Sequence, residues 1–170
     1  MERRIIISPK FLVLLGIILA LIVGIAAWLN HKDNAVGDGA FIEVCLDGEK
    51  VAAYSINELM GFKSTTVHAQ LQSAKSEDES GEYAGVMLSD LISKAGISDC
   101  KTIVLTAGDG YSSAAKGSEA DEVLIAYEKD GAPLGYYETG GTGPIRAIFT
   151  EDTYGNRSIQ YLTRINCKTK

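Results

Sequence analysis

The sequence has few of the residues, and none of the short motifs, that mark the common catalytic and metal-binding sites. It contains two histidines and three cysteines in 170 residues, and they are not spaced as CxxC or as a Cys/His set of metal ligands. It also lacks the GxGxxG dinucleotide fingerprint, the P-loop and the GxSxG nucleophile elbow. We therefore predict no metal ligand, and we assign no catalytic residue from motifs.

Acidic residues outnumber basic residues outside the N-terminal segment. The whole chain has 16 Lys and Arg against 22 Asp and Glu, a net charge of −6. Residues 1–33 carry four basic and two acidic side chains, a net charge of +2, which leaves −8 for the rest of the chain. Because an acidic domain is a poor match for nucleic acid, the sequence predicts no nucleic-acid partner.

One long apolar run, at residues 11–29, contains no charged side chain. Nineteen residues at a rise of about 1.5 Å each roughly match a bilayer core of about 30 Å. The alternative is a cleaved signal peptide, but its apolar region is normally about 7–15 residues long. The run also ends at Trp28, and tryptophan is typical of the membrane interface. These features favour an uncleaved transmembrane signal anchor.

The charges that flank this run predict its orientation. Three basic residues precede it within residues 1–10, whereas Lys32 on the other side is offset by Asp33. The positive-inside rule then places residues 1–10 in the cytoplasm. We expect a linker at residues 30–40 and one extracytoplasmic domain at residues 41–170, held at the cell membrane by a single pass.

The three cysteines leave the disulfide state open. Two of Cys45, Cys100 and Cys167 could pair in an oxidising compartment, but an odd count leaves at least one free. A Cys100–Cys167 bridge is one possibility, and three small buried thiols are the other.

Turn and capping signals predict the elements of the first half of the domain. Asp47–Gly48 predicts a tight hairpin between two strands. Ser55 and Glu58 have the spacing of a capping box, so a short helix should follow and end near Gly61. We expect a strand in the next run, STTVHAQLQS, and a solvated loop in the charged run AKSEDESGE.

The second half alternates short strands with one more helix. The apolar spacing in LSDLISKAG predicts a helix with Ser89 as its N-cap and Gly96 as its stop. Asp130–Gly131 predicts a second hairpin, and strands are expected in KTIVLTA, PIRAIFT and SIQYLTRINCK. The pattern predicts an α+β fold with mixed, mostly antiparallel strands.

The glycine-rich segment TGGTGPIR is the strongest candidate for a binding site. Gly140, Gly141 and Gly143 can aim consecutive backbone N–H groups at one point, and Arg146 adds a fixed charge. We predict an anion site here, and the alternative is a turn with a solvent-facing arginine. Two further cleft candidates are Asp109 and Tyr111, which follow a predicted buried strand, although an Asx turn is the favoured explanation for them.

Five ordered segments resemble the molybdopterin-binding domain of the sulfite oxidase family, over about residues 83 to 167. They are YAGVMLSDLISKAGI, KTIVLTAGDGYSSA, DEVLIAYEKDGAPL, GPIRAIF and GNRSIQYLTRI. The resemblance implies a sulfite-oxidase-type fold and a molybdopterin cofactor whose phosphate end is held by the glycine loop and Arg146, the arginine of the family's P-L-R motif. It places Arg157 at the first basic position of the family's R-S-V-K-W-L segment, beside the same cofactor.

The sequence departs from that family at three positions. Its enzymes hold molybdenum with a cysteine between the first helix and the G-V-x-L segment, whereas no cysteine lies between Cys45 and Cys100. Gly141 replaces a family histidine, and Gln160 replaces a lysine. Two functions stay open. One is an oxidoreductase that passes electrons to a membrane or exported redox protein; the other is a non-catalytic module that binds a small anion or a protein.

Overall fold

A computed structural model describes residues 41–72, 79–136, 140–152 and 155–170 of the chain. All of them belong to one compact unit, Gly39–Lys170. Within these described ranges no helix has the length and apolar character needed to cross a membrane. The predicted anchor at residues 11–29 and the linker at residues 30–40 lie outside the described residues.

The described residues contain ten strands, which form two five-stranded sheets. The strands of the first sheet are β1 (Phe41–Leu46), β2 (Glu49–Ser55), β5 (Thr102–Ala107), β6 (Ser112–Lys116) and β10 (Leu162–Lys168). Their order is β2-β1-β10-β5-β6, and β1 runs parallel to β10 while every other neighbouring pair in this sheet is antiparallel.

The second sheet is antiparallel throughout. Its strands are β3 (Thr65–Leu71), β4 (Glu79–Met87), β7 (Val123–Lys129), β8 (Ala132–Pro133) and β9 (Arg146–Phe149). The order is β3-β4-β7-β8, and β9 also pairs with β7. The predicted combination of mixed, mostly antiparallel strands and short helices is confirmed.

The helices are short and lie between strands. They are α1 (Ile56–Met60), α2 (Leu88–Lys94) and 3-10 helices at Gly117–Glu122 and Gly155–Arg157. The capping box is confirmed: Ser55 Oγ accepts from the Glu58 N–H at 3.3 Å, and Glu58 Oε2 accepts from the Ser55 N–H at 2.7 Å. Ser89 as the N-cap of the second helix is wrong. The cap is Met87 with extended backbone, because β4 runs directly into α2 with no polar residue between them.

Both Asp-Gly hairpins are confirmed by left-handed backbone at their turns. Asp47 and Gly48 have φ of 50° and 95°, and Asp130 and Gly131 have φ of 51° and 77°. The loop predicted over AKSEDESGE is wrong from residue 79 onward, because Glu79–Met87 is strand β4. The charged side chains concealed an alternation in which Gly81 and Tyr83 are buried. Strand β6 was not predicted, since its sequence SSAAK has neither aromatic nor β-branched residues.

Strand β7 is the centre of the hydrophobic core because both of its faces are covered. Val123, Ile125 and Tyr127 pack in the larger core cluster, which includes residues from both sheets and both α-helices. Leu124 and Ala126 belong to a second cluster on the opposite face. Burial on both faces explains why β7 is a continuous apolar run rather than an alternating one.

Candidate anion-binding cleft

A cleft of about 420 Å³ opens beyond the C-terminal end of β5. Its described lining comes from the β5–β6 turn, the first residue of β9 and the segment that follows β9. The lining residues are Ala107, Asp109, Tyr111, Arg146, Gly155, Asn156, Ser158 and Gln160. The structure thus brings together three of the residues singled out in the sequence: Asp109, Tyr111 and Arg146.

Arg146 is the buried cation of this cleft. It is the first residue of β9, is paired with Ala126 of β7, and is only 4% exposed. Its Nη1 donates to Glu79 Oε2 at 2.8 Å, and its guanidinium carbon lies 5.7 Å from the centre of the Tyr83 ring. The side chain is therefore held on one side by a carboxylate and an aromatic face, and does not project into bulk solvent.

The carboxylate of Glu79 accepts hydrogen bonds from three side chains, one each from strands β4, β7 and β9. Its Oε1 accepts from Tyr83 Oη at 2.7 Å and from Lys129 Nζ at 2.9 Å, and its Oε2 accepts from Arg146. Burial raises the pKa of Glu79, but these hydrogen bonds outweigh burial and lower the pKa to about 2. The carboxylate is therefore charged at neutral pH. Two cations, Arg146 and Lys129, therefore share this carboxylate, while Asp109 adds a second carboxylate to the cleft lining.

Two buried polar atoms of the described residues have no hydrogen-bond partner, and both belong to residues that line this cleft. They are Arg146 Nε and Ser158 Oγ. A buried donor without a partner costs about 1–3 kcal/mol, and native proteins satisfy nearly all such groups with protein, water or ligand. Arg146 and Ser158 therefore keep unused hydrogen-bonding capacity beside the same cleft.

Asp109 and Tyr111 make local hydrogen bonds and also form the wall of the cleft. Asp109 Oδ1 accepts from the Tyr111 N–H at 2.9 Å, which is the Asx turn that the sequence favoured. Tyr111 Oη donates to the Asn156 carbonyl at 2.8 Å and ties the β5–β6 turn to the opposite wall. The Tyr111 ring stays half exposed, so one of its faces is open to a ligand.

The glycine loop does not form the predicted nest with the amides of Gly141 and Gly143. The Gly141 N–H donates to the Tyr136 carbonyl at 3.0 Å, and the Gly143 N–H donates to the Gly135 carbonyl at 3.0 Å. Gly140 and Gly143 have φ of 82° and 95°, and a Cβ on Gly141 would overlap the Gly135 carbonyl. The glycines therefore let the loop fold tightly on residues 135–136. The described lining of the cleft includes none of these three glycines.

Arg157 is satisfied by carboxylates outside the cleft. Its Nε and Nη2 donate to the two carboxylate oxygens of Asp152 at 2.7 and 2.6 Å, and its Nη1 donates to Glu119 at 3.2 Å. Its guanidinium lies 4.3 Å from the centre of the Phe149 ring. The hydrogen bond with Asp152 is the main reason why the pKa of Arg157 is raised. The structure does not place this arginine with Arg146, and its predicted role at the cofactor stays a prediction.

Sequence reasoning missed Glu79 and Ser158. Glu79 was placed in a solvated charge run, and nothing local links it to Arg146, which lies 67 residues away. Ser158 directly follows Arg157 in the family-like segment GNRSIQ, and membership of that segment was the one sequence signal for it.

No cysteine lines the cleft. Cys45, Cys100 and Cys167 are all free, so the Cys100–Cys167 bridge is not formed in this structure. Among the residues described, no group of three or more His, Cys, Asp or Glu side chains is placed to hold a metal ion.

Comparisons with known proteins agree with the architecture. The family described as "Oxidoreductase molybdopterin binding domain" matches residues 40–170. The structure is similar to the sulfane dehydrogenase SoxCD from Paracoccus pantotrophus, with a TM-score of 0.63 and 19% sequence identity. The similarity covers 77% of this chain and 38% of that chain, and at this identity it shows the fold alone. No curated protein matches the sequence.

Proposed function

Because this chain belongs to the family of oxidoreductase molybdopterin binding domains, we propose that its cleft binds a phosphate-bearing ligand of the molybdopterin type, with Arg146 as the anion receptor. The observation that carries the proposal is the pair of unpartnered buried donors, Arg146 Nε and Ser158 Oγ, in one cleft. Both can donate to the same kind of group, an oxygen that carries negative charge.

The organic part of such a cofactor fits the cleft. A volume of about 420 Å³ lies within the usual range of small-molecule sites, about 300–1,000 Å³. Arg146 supplies the positive charge for a phosphate, and charge-assisted hydrogen bonds to a phosphate contribute about 1.5–3 kcal/mol each. Asn156 and Gln160 line the cleft as well, and their side-chain amides can pair with the polar edge of a heterocycle.

The metal part of the cofactor does not fit the residues present. No cysteine lies between Cys45 and Cys100, and none lines the cleft. A thiolate is a soft anionic ligand that serine, glutamine or aspartate oxygens do not replace equivalently. We therefore derive no redox step and assign no catalytic residue. The second candidate function, a non-catalytic module that binds an anion or a protein, is favoured by this missing thiolate.

A binding experiment tests the proposal. The full chain is titrated with a pterin that carries a phosphate monoester and with the same pterin without phosphate. We expect the phosphate form to bind at least about tenfold more tightly, a difference of about 1.4 kcal/mol, and Arg146→Met to remove this preference. The matched control Arg157→Met should keep it. If neither pterin binds, or if both bind equally, the proposal is wrong.

We also propose that residues 11–29 anchor the chain in the cell membrane with the domain outside, next to a membrane or exported redox protein. The support is the uncharged apolar run and the basic residues before it. A reporter that works only in the cytoplasm, fused after Lys170, should be inactive. Strong activity of that fusion would contradict the orientation, and soluble mature protein starting near residue 30 would show cleavage instead.

A further inference from the structure

The three cysteines of the chain lie at the end of the first sheet that is remote from the cleft. Cys100 precedes the start of β5, whereas the cleft residues Ala107 and Asp109 are at its other end. Cys167 in β10 is paired with Ile103, near the start of β5. Cys45 in β1 is paired with Asn166, the neighbour of Cys167. One pole of the sheet therefore contains every thiol, and the opposite pole contains the cleft.

Strand geometry shows that none of these thiols can reach a metal in the cleft. Ile103, the partner of Cys167, is four residues before Ala107 along β5, which corresponds to about 13 Å at about 3.3 Å per residue. Cys100 lies before the first residue of β5, Thr102, which is five residues from Ala107, or about 16 Å by the same rise. A thiolate ligand must approach a metal to about 2.3 Å, as at zinc sites.

The orientation of the thiols leads to the same conclusion. Cys45 and Cys167 are buried, and Cys167 belongs to the larger core cluster. Cys100 donates to the Thr102 carbonyl at 3.6 Å, at its own end of the sheet. Burial and the neighbouring Cys100 thiol also raise the pKa of Cys167, which disfavours its thiolate. Moving any of them to the cleft would require opening the sheet.

The described lining also offers few ligands to a metal cation, because its one carboxylate is that of Asp109. The nearby carboxylate of Glu79 is already shared by Arg146 and Lys129. On the opposite wall Asp109 Oδ1 already accepts from Tyr111, and Tyr111 Oη already donates to Asn156. Among the described lining residues, Arg146, Asn156 and Gln160 are suited to hydrogen bonds with a polar ligand, and one carboxylate alone is too few ligands for a metal site.

From this geometry we infer that the cleft binds its ligand without any bond between the protein and a metal, as a reversible site for the metal-free pterin. The inference rests on the proposed function and makes it more specific. It predicts that the phosphate and the heterocycle determine the affinity of the ligand. A metal on the pterin should leave that affinity unchanged.

The test compares three probes on the full chain: metal-free molybdopterin, the same pterin loaded with molybdate, and molybdate alone. We expect the two pterin forms to bind with affinities within about threefold of each other, a difference below about 1 kcal/mol. Molybdate alone, which Arg146 meets as another oxyanion, should bind no more tightly than inorganic phosphate. After dialysis the ligand should be lost, and elemental analysis should find no retained molybdenum.

Binding of only the loaded pterin, or molybdenum retained at one atom per chain after dialysis, would overturn the inference while leaving the proposed function intact. Retention that disappears in Cys100→Ser but not in Cys45→Ala would identify Cys100 as a ligand after all. If neither pterin form binds, the proposed function fails and this inference fails with it. Stoichiometric molybdenum or tungsten in protein purified from its native membrane would also contradict it.

Discussion

Arg146 and Arg157 lie eleven positions apart and matched family motifs equally well, yet the structure places them in opposite environments. Arg146 is buried, shares one carboxylate with Lys129, and keeps an unpartnered Nε at a cleft. Arg157 is 37% exposed and gives all three of its nitrogens to Asp152 and Glu119. The motifs identified both cations, but only the structure shows that Arg146 keeps one nitrogen without a hydrogen-bond partner while Nε, Nη1 and Nη2 of Arg157 all donate to carboxylates.

The local charge balance extends this difference. Around Arg146 two cations share one carboxylate, and Asp109 adds a second carboxylate to the cleft. Around Arg157 one cation meets two carboxylates, which leaves a negative surplus. An anionic ligand therefore meets less negative charge in the first region than in the second. Variants of the two regions test whether their ligand affinity and stability differ as this balance requires.

The largest effect is expected when Arg146 loses its counter-ion. Glu79→Ala should lower the free energy of unfolding by about 3 kcal/mol, because a buried guanidinium is left uncompensated beside Lys129. Urea denaturation measures the change. Glu82→Ala, which removes an exposed carboxylate on the same strand, should stay within about 0.5 kcal/mol of the wild type. Equal effects of the two variants would mean that Arg146 does not depend on Glu79.

The free energy of unfolding should also depend on the Glu79 carboxylate when the pH is lowered. The pKa of Glu79 is about 2 in the folded protein against 4.5 ordinarily, so its stabilisation is complete above about pH 4.5 and is lost as the pH falls towards 2. Its size is roughly 3 kcal/mol at 1.36 kcal/mol per pKa unit. Urea denaturation at several pH values should show a steeper loss for the wild type than for Glu79→Gln. Parallel curves over this window would contradict the assignment.

Conservative substitutions separate the two arginines by their ligand affinity. Arg146→Lys keeps the charge but removes the Nε–H, and should weaken binding of a pterin phosphate by about ten- to a hundredfold, the loss of one charge-assisted hydrogen bond. Arg157→Lys should change the affinity by less than about twofold. Calorimetric titration of both variants decides between the regions, and a comparable loss in both would remove the distinction.

Removing Arg157 entirely should affect stability but not binding. Arg157→Ala breaks the contacts with Asp152, Glu119 and the Phe149 ring, and should cost about 1–2 kcal/mol, since half-exposed ion pairs and cation–π contacts contribute about 0.2–1 kcal/mol each. Thermal unfolding measures the cost, and the affinity for the pterin phosphate is its internal control. Loss of binding in a stable Arg157→Ala protein would show that this region contacts the ligand.

Ser158→Ala should produce the smallest change in stability, with a distinctive sign. Because its buried hydroxyl has no partner, removing it should leave the unliganded protein unchanged or more stable by less than about 1 kcal/mol. Affinity for the pterin phosphate should nevertheless fall, by about fivefold for one neutral hydrogen bond. A destabilised variant with unchanged affinity would indicate that Ser158 serves the fold and not the ligand.

Much of the architecture was determined by the sequence because its signals are local. The Asp-Gly turns need only two residues that tolerate positive φ, and the Ser55–Glu58 capping box needs only a spacing of three. The ordered segments from residue 83 to 167 were sufficient to identify the family that matches residues 40–170. Arg146 was found from the glycine-rich segment, and Asp109 and Tyr111 from their position after a predicted buried strand; each also lies in one of the family-like segments.

Only the tertiary structure decided what these residues contact. The pairing of Glu79 with Arg146 spans 67 positions and depends on β4 and β9 both flanking β7. The amides of the glycine loop are used by carbonyls of residues 135 and 136, and the three cysteines meet at the pole remote from the cleft because β10 pairs with both β1 and β5. The sequence determines which chemical groups are present. Their burial, charge balance and unused hydrogen-bonding capacity depend on which strands, distant in the chain, pack next to each other.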